Sequence, residues 1–380
     1  LMTKGNILLV ANWDSDTGYA WWLMENFWAT ISRHFNDRNI SCHLVYPKIS
    51  RIPETISSSS ISVHECDTRD RSWKNLLKLR KFVRSNRIRY IYLSDYPVHS
   101  LFYVFLHGCG IRKIVIHEHT PGERPRPPWA RRMLKRSVHF VPFYSADHFI
   151  AVTDYIYTRF LEVSNIPATK CSVAPNGITP IGTSCADREY AQRSLTIPED
   201  RLIIVTTGRA DYYKGIDFFI ECANEMVNVR GHTNLHFLFC GDGPDMNAFR
   251  ALAERLTVTR HFTFAGKRTD VRSILPSCDI GFHCAEGEVG YSLSILEYMS
   301  AGLATIVPDR PSTRCATRDD ETGLLYRPRD LESACSAITR CLGNSLRNRL
   351  AEAARKEVSE HYDIADTNKQ LTAILDRVFS

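Results

Sequence analysis

Short apolar runs alternate with longer amphipathic stretches along nearly the whole chain, the pattern of strands buried on both faces and joined by helices. Residues 6–11 (NILLVA) read as the first strand, 12–18 as a polar loop and 19–35 as an aromatic-rich helix. Beyond a polar loop that includes residues 57–60, the pattern predicts a helix over 73–85, a strand over 88–93, a helix over 98–109 and a strand over 112–116. Residues 149–153 (FIAVT) read as the last strand of this half, and 172–178 (SVAPNGI) as a crossover in which Pro175 and Gly177 set a turn. The polar stretch 179–199 reads as a linker or insertion. A β-branched run over 201–208 opens the second half, the amphipathic segment 215–229 follows, and helices are expected over 346–362 and 364–379. Such alternation specifies parallel βαβ units and an α/β fold class.

At 380 residues the chain is long enough for two domains, each with its own core. An apolar fraction of 44% and a charged fraction of 24% are those of a soluble globular protein. No apolar run approaches the roughly 18 residues that span a bilayer, and 7–11 is too short for a signal-peptide core. A cytoplasmic location is therefore expected, with peripheral contact at the inner face of the membrane left open. The twelve cysteines, Cys109, Cys240, Cys278 and Cys284 among them, lie scattered in apolar segments without a CxxC pair. They read as small buried thiols, and no metal site is expected.

The formal charge of +6 is unevenly spread. Residues 74–89 and 129–136 are both basic and interleaved with apolar or aromatic side chains. Each suits a phospholipid headgroup layer or a lipid-diphosphate acceptor. Each also suits a core-facing helix with a solvated basic face, the reading that carries more weight. No nucleic-acid-binding motif accompanies the charge.

Candidate chemistry concentrates in residues 286–302 (EGEVGYSLSILEYMSAG), where a Gly-rich turn leads into a helix beginning near Ser292. The turn Gly290-Tyr291-Ser292 lets backbone N–H groups approach a ligand, and the positive end of the helix favours a diphosphate. Glu297, one to two turns in, has the acceptor capacity for a ribose diol. An ordinary capped helix would read the same way. A second cluster is GRADYYKG, in which Arg209 and Lys214 sit in a strand-to-helix loop. In an open α/β sheet that is the edge where ligands bind. Arg209 can fork onto phosphate oxygens and Lys214 can add a point charge, although solvated loop cations are common. At the end of the strand over 112–116 stands His117-Glu118-His119, followed by the Pro-rich PGERPRPP. Histidine suits hydrogen bonding to sugar hydroxyls or proton handling near neutral pH.

In order and spacing, GRADYYKG, LFCGDGP, FAGKRTDV and CDIGFHCAEGEVGYSLSILEYMSAGLATIVPD resemble the nucleotide-binding half of the family 4 retaining glycosyltransferases, also known as glycosyl transferases group 1. The resemblance implies a GT-B fold: two Rossmann-like doubly wound domains facing across a cleft. Residues 1–178 would form the acceptor domain, 179–362 the nucleotide-sugar domain, and 363–380 a helix returning to the first. It implies that Arg209 and Lys214 grip the diphosphate and Glu297 the ribose. Gly290, Tyr291 and Ser292 would offer amides to sugar and phosphate, and the Gly266-Lys267-Arg268 loop would meet the base. A first-loop glycine, here Gly18, and one of His117 and His119 would approach the donor or acceptor. Asp14-Ser15-Asp16 matches the metal-binding DxD of a different glycosyltransferase fold, a chance match for a polar loop. One departure stands out: where the family carries a sugar-contacting Glu eight positions before Glu297, this chain has Val289, with Glu286 and Glu288 out of register. Glu288 is the expected substitute.

What the resemblance implies is metal-independent, cofactor-free transfer, with retention, from a UDP-, GDP- or ADP-linked sugar to a saccharide or lipid-linked hydroxyl acceptor in glycan biosynthesis. Two alternatives stay open, a non-hydrolysing nucleotide-sugar epimerase and a non-catalytic nucleotide-sugar-binding subunit.

Overall fold

The computed structural model describes residues 5–15, 22–120, 122, 124–139, 141–182, 189–285 and 292–380. Asp16, Gly18, Glu286, Glu288, Val289, Gly290 and Tyr291 lie outside the described residues. The chain divides into two compact units, Leu1–Pro175 with Thr367–Ser380, and Asn176–Asp366.

The first unit is built on seven strands: β1 (Asn6–Val10), β2 (Cys42–Tyr46), β3 (Ser62–Glu65), β4 (Ile88–Ser94), β5 (Lys113–Glu118), β6 (His148–Ala151) and β7 (Cys171–Val173). All pair in parallel, in the order β3-β2-β1-β4-β5-β6-β7. The strand order therefore reverses between β1 and β4. Ile7, Leu8, Leu9 and Val10 are wholly buried, as a strand covered on both faces requires. Helix Trp22–Asn36 lays Phe27, Trp28, Ile31 and Phe35 on the sheet. The last helix, Ile364–Phe379, places the Phe379 ring 4.6 Å from Tyr90 and 5.9 Å from Phe35. Residues 149–153 are not the final strand of this unit. Residues 172–173, read as crossover, belong to the edge strand β7, which pairs with β6.

In the second unit six parallel strands, β8 (Leu202–Thr207), β9 (Leu235–Cys240), β10 (Phe262–Gly266), β11 (Ile280–Phe282), β12 (Ala304–Pro308) and β13 (Leu324–Tyr326), run in the order β10-β9-β8-β11-β12-β13. Here the reversal falls between β8 and β11. Phe219 centres an aromatic core, 5.3–5.6 Å from the Phe237, Phe262 and Phe282 rings. The stretch 179–199 is more than a linker: it contains helix Tyr190–Leu195, whose Ala191 is buried and donates its N–H to Ser277 Oγ at 3.2 Å.

The two basic stretches differ. Helix Trp73–Ser85 buries Leu79 and Val83, the core-facing arrangement. Helix Trp129–Val138 buries no residue at all. Among the described residues no helix is long and apolar enough to cross a membrane. Ten of the eleven described cysteines are buried, and all eleven are free thiols.

Candidate functional site

Where strand order reverses in a parallel sheet, the loops leaving the two central strands diverge and open a crevice at their carboxyl ends. In the second unit that crevice is at β8 and β11. The loop leaving β8 carries Arg209 and Lys214, and backbone bonds to the loop after β9 fix its shape. Gly208 N–H donates to the Cys240 carbonyl (3.1 Å), Ala210 N–H to that of Asp242 (3.0 Å), and Asp245 N–H to that of Ala210 (3.0 Å). Glycine is required for this approach: a Cβ on Gly241 would lie 1.7 Å from the Gly208 carbonyl oxygen, and one on Gly243 2.5 Å from that of Ala210. The GDGP motif thus acts as scaffold for the Arg209 loop. At its far end Gly215, at φ +72°, abuts the Cys284 carbonyl, again leaving no room for a Cβ. Arg209 is exposed, and the half-buried Lys214 has its ammonium 5.1 Å from the Tyr213 ring centroid.

The helix expected after the Gly-rich turn spans Leu293–Ala301, with Ser292 at its N-cap in an extended conformation and no side-chain cap. A helix N-terminus without a side-chain cap is a place where amides can meet an anionic ligand. Thr207, the last residue of β8, ties this helix down: its N–H donates to Tyr298 Oη at 2.6 Å, and its hydroxyl donates to Ser294 Oγ at 3.0 Å. Tyr298 in turn packs on Gly281 of β11, where a Cβ would lie 2.5 Å from Tyr298 Cβ. The helix N-terminus and the Arg209 loop are thereby both anchored to the end of β8. Glu297 is half-buried, and burial raises its carboxyl above the usual range, with Arg272 at 3.8 Å drawing it partly back.

The expected base loop begins at Gly266, φ +69°, and Lys267 is exposed. Arg268 turns its side chain to its own unit. It forms a two-point pair with Asp270 at 2.8 and 2.6 Å, and Tyr190 Oη donates to the same carboxylate at 2.7 Å. These bonds, Arg268 foremost, hold Asp270 down at about 2.

In the first unit the reversal point is the end of β1 and β4, with β5 beside it. His117 and His119 lie on one side of β5, their ring centroids 4.3 Å apart, and both rest against Phe27. Glu118 faces the other way, its carboxylate 3.0 Å from Arg159. Burial lowers both imidazoles, His117 well below the ordinary range and His119 to about 4. Burial thus favours the neutral imidazoles, the form that hydrogen-bonds to hydroxyls through one nitrogen as donor and the other as acceptor. His117 Nδ1 is 2.5 Å from Tyr92 Oη, while His119, one residue past the strand, is nearer the surface. Asp95, held in a left-handed conformation at φ 55°, accepts the His119 backbone N–H and the Thr120 hydroxyl. Among the described residues, four polar atoms at this edge are buried without a partner: Asn12 Oδ1, Ser94 Oγ, His117 Nε2 and His119 Nε2. Unsatisfied groups of that kind are costly unless a ligand completes them. Ser15, the centre of the DxD match, is engaged structurally, its hydroxyl accepting the Ser50 and Arg51 N–H groups at 3.0 and 3.2 Å.

The family profile described as Glycosyltransferase Family 4 matches residues 24–180, and that described as Glycosyl transferases group 1 matches residues 187–357. The chain belongs to the family 4 glycosyltransferases. An uncharacterised glycosyltransferase of Methanocaldococcus jannaschii is 23% identical over 60% of this chain and 59% of its own length. The lipopolysaccharide core biosynthesis glycosyltransferase LpsE of Rhizobium meliloti is 28% identical over 47% of this chain and 52% of its own. The matches thus span about half to three-fifths of these curated relatives. Among solved structures, a glycosyltransferase from Rickettsia africae superposes with a TM-score of 0.80 at 14% identity, over 99% of both chains. Anabaena HepE in complex with UDP gives 0.75 at 16%, over 98% of this chain and 100% of the other. At these identities the structures establish the shared GT-B architecture of two Rossmann-like domains.

For this family 4 glycosyltransferase, the motifs singled out the cations and Glu297 as candidates but not Thr207, Ser294 and Tyr298, which hold the helix in place. Nor did they single out Asn12, Ser94 and Asp95 beside the histidines. Ser294 and Tyr298 lie within the 286–302 motif, but their role shows only when the fold brings Thr207 beside them, and Asn12, Ser94 and Asp95 come from loops and strand ends far apart in sequence.

Proposed function

We propose that the protein is a retaining, metal-independent glycosyltransferase that moves a sugar from a nucleoside diphosphate to a hydroxyl of a saccharide or lipid-linked acceptor in glycan biosynthesis. The observation that carries this reading is the reversal point of the second sheet, where an uncapped helix N-terminus and the Arg209–Lys214 loop are fastened to the same strand end. Amides, a guanidinium and an ammonium gathered there suit a diphosphate. Relatives point the same way: HepE binds UDP, and LpsE acts in lipopolysaccharide core biosynthesis.

In this reaction the bond from the anomeric carbon to the phosphate oxygen breaks, and a bond from that carbon to the acceptor oxygen forms on the same face. The departing phosphate oxygen takes the acceptor proton, so no enzymic nucleophile is needed. Arg209, Lys214 and the amides following Ser292 stabilise the charge that develops on the diphosphate, each well-placed donor contributing roughly 3 kcal/mol. Glu297 holds the ribose hydroxyls, and the backbone of Gly266, Lys267 and Arg268 meets the base. In the first unit, His119, neutral and with an open Nε2, orients hydroxyls of the acceptor or sugar. Gly290 and Tyr291 keep the donor-side roles that the resemblance implies, Gly18 is the candidate first-loop glycine, and Glu288 substitutes for the family Glu that Val289 replaces.

Thermal-shift titration with UDP, GDP and ADP tests the site, since a ligand at a hundred times its Kd stabilises the native state by about 2.7 kcal/mol. One nucleotide should raise Tm in the native protein and fail to do so in R209A/K214A. Sugar transfer with that donor should persist in EDTA. Nucleotide binding without transfer or donor hydrolysis, across all donors, would return the protein to the non-catalytic reading.

A further inference from the structure

An ionised carboxylate accepts the hydroxyls of a ribose more strongly than a protonated one, yet burial works against the charge on Glu297. One guanidinium offsets this. Arg272 Nη1 lies 3.8 Å from Glu297 Oε1, close enough to favour the charge and too far for a hydrogen bond. The pair therefore leaves free the carboxylate lone pairs that a diol needs. Among the described residues, the other elements packed against helix Leu293–Ala301 bring no second cation to this carboxylate. β11, β12 and the turn Leu275–Ser277 contain no charged residue. Helix Asn344–His361 carries Arg347 to Asp279, Arg349 to Asp320 and Glu357 to Arg318, and it lays Arg355 beside Gly302, beyond the far end of the Glu297 helix.

A closed ring of contacts sets where Arg272 stands. Its Nη2 donates to the Thr179 carbonyl at 2.5 Å. Two residues on, Ile181 N–H donates to Ser300 Oγ at 2.7 Å, and Ser300 lies about one turn beyond Glu297 on the same helix. Residues 179–181 are thus fastened both to Arg272 and to the helix that carries Glu297. The backbone of Arg272 is fixed as well. Its short helix, Val271–Ile274, starts from Asp270, which Arg268 and Tyr190 hold from two sides. Ile274 and Leu275 share a buried cluster with Tyr298 and Ala301. Four residues of chain therefore join Arg268, at the proposed base loop, to the cation that faces the proposed ribose carboxylate.

We propose that Arg272 is a positioning residue for the nucleotide, keeping the Glu297 carboxylate in the charge state and place that accept a ribose diol. This role rests on the ribose reading of Glu297. It makes the discrimination of ribose from a sugar without its two hydroxyls depend on a side chain that touches neither.

Titration calorimetry on the full chain tests it, with UDP, GDP and ADP and the 2′,3′-dideoxy counterpart of whichever binds. The native protein should bind the ribonucleotide at least about tenfold tighter than the dideoxy form, as hydroxyls bonded to a charged acceptor imply. At pH 6, R272Q should weaken the ribonucleotide about fivefold or more and the dideoxynucleotide less than about twofold, because Glu297 now takes up a proton more readily. The loss should shrink at pH 8, where the carboxyl ionises without help. Arg272 is 43% exposed, so R272Q should melt close to the native Tm, and R272M takes its place if it does not. In E297Q, which has no carboxylate to hold, adding R272Q should move neither Kd by more than about twofold. Equal weakening of both nucleotides by R272Q, an effect that survives in E297Q, or no effect at all overturns the proposal. A native protein that binds no nucleotide loses the nucleotide reading and this role together. One that binds nucleotide while R272Q is silent loses this role alone.

Discussion

Glu297 carries a conflict between stability and function that one substitution exposes. Burial raises its carboxyl above 4.5 in the folded state, so the native protein holds this proton more tightly than the unfolded chain does. Stability contributed by this group is therefore present at low pH and lost as pH climbs from 4.5 through the raised value. Glu297→Gln removes that cost. The variant should show an unchanged or higher Tm than the native protein at neutral pH, with the gap closing as pH falls toward 4.5. Nucleotide binding should move the other way, because replacing a charged acceptor costs about 1.5–3 kcal/mol, or ten- to a hundredfold in Kd. Titration calorimetry beside thermal melts reads both signs, and a fall in Tm with Kd unchanged would make Glu297 a structural residue. Its candidacy was legible because the 286–302 stretch resembles a family motif, not because a carboxylate near a helix N-terminus is unusual. Its partner Arg272, from an element some twenty-five residues earlier, was not.

At the scale of elements, the proposed donor site depends on two fastenings whose partners lie far apart in the sequence. Tyr298 Oη accepts the N–H of Thr207, so Tyr298→Phe leaves a buried donor unsatisfied and should cost about 1–3 kcal/mol in urea melts. Turnover should fall more than the stability loss alone explains, because the helix N-terminus is no longer pinned to β8. Gly215→Ala acts on the other fastening. The left-handed φ alone costs about 1–2 kcal/mol, and the new Cβ would stand 2.3 Å from the Cys284 carbonyl, so Lys214 shifts with its loop. This variant should lose nucleotide-dependent stabilisation in thermal shift even where it remains folded at low temperature. Strands buried on both faces, such as β1, β4 and β8, were legible because they are continuous apolar runs. Three strands of the first unit that were not read are of another kind: β3 (SVHE) is an exposed edge, β7 has only three residues, and β2 (CHLVY) carries a histidine within a short run; β9 to β12 of the second unit were read only as motifs and not as strands, and β13 was not read. Helix Tyr190–Leu195 was hidden because its single buried side chain, Ala191, writes no periodicity.

The whole molecule is asymmetric in what acid does to it, although both units were read from one βαβ pattern. Burial lowers seven imidazoles in the first unit, His43, His64, His99, His117, His119, His139 and His148, and lowers His236 in the second. A histidine kept neutral by folding is protonated first in the unfolded chain. Its stability is present above 6.5 and lost as pH falls toward the folded value, about 4 for His99, His119, His148 and His236. Three carboxyls of the first unit, the half-buried Glu25 and Asp95 and the buried Glu118, are raised by burial and work in the opposite direction, against seven histidines. The second unit gains from raised Glu221 and Glu297 over the same range. Its lowered carboxyls, such as Asp270 at about 2, give up stability only in stronger acid. The first unit should therefore open first, between pH 6.5 and about 4. All six tryptophans precede Pro175, at positions 13, 21, 22, 28, 73 and 129, so tryptophan emission reports on that unit alone. In an acid titration the emission shift should come at higher pH than the loss of far-ultraviolet dichroism, which averages both units. H99Q/H148Q, two substitutions away from the proposed site, should move the emission midpoint to lower pH and leave the later dichroism change in place. A single coincident transition by both probes would mean that the two units share one cooperative unfolding step and that the buried histidines do not set its midpoint.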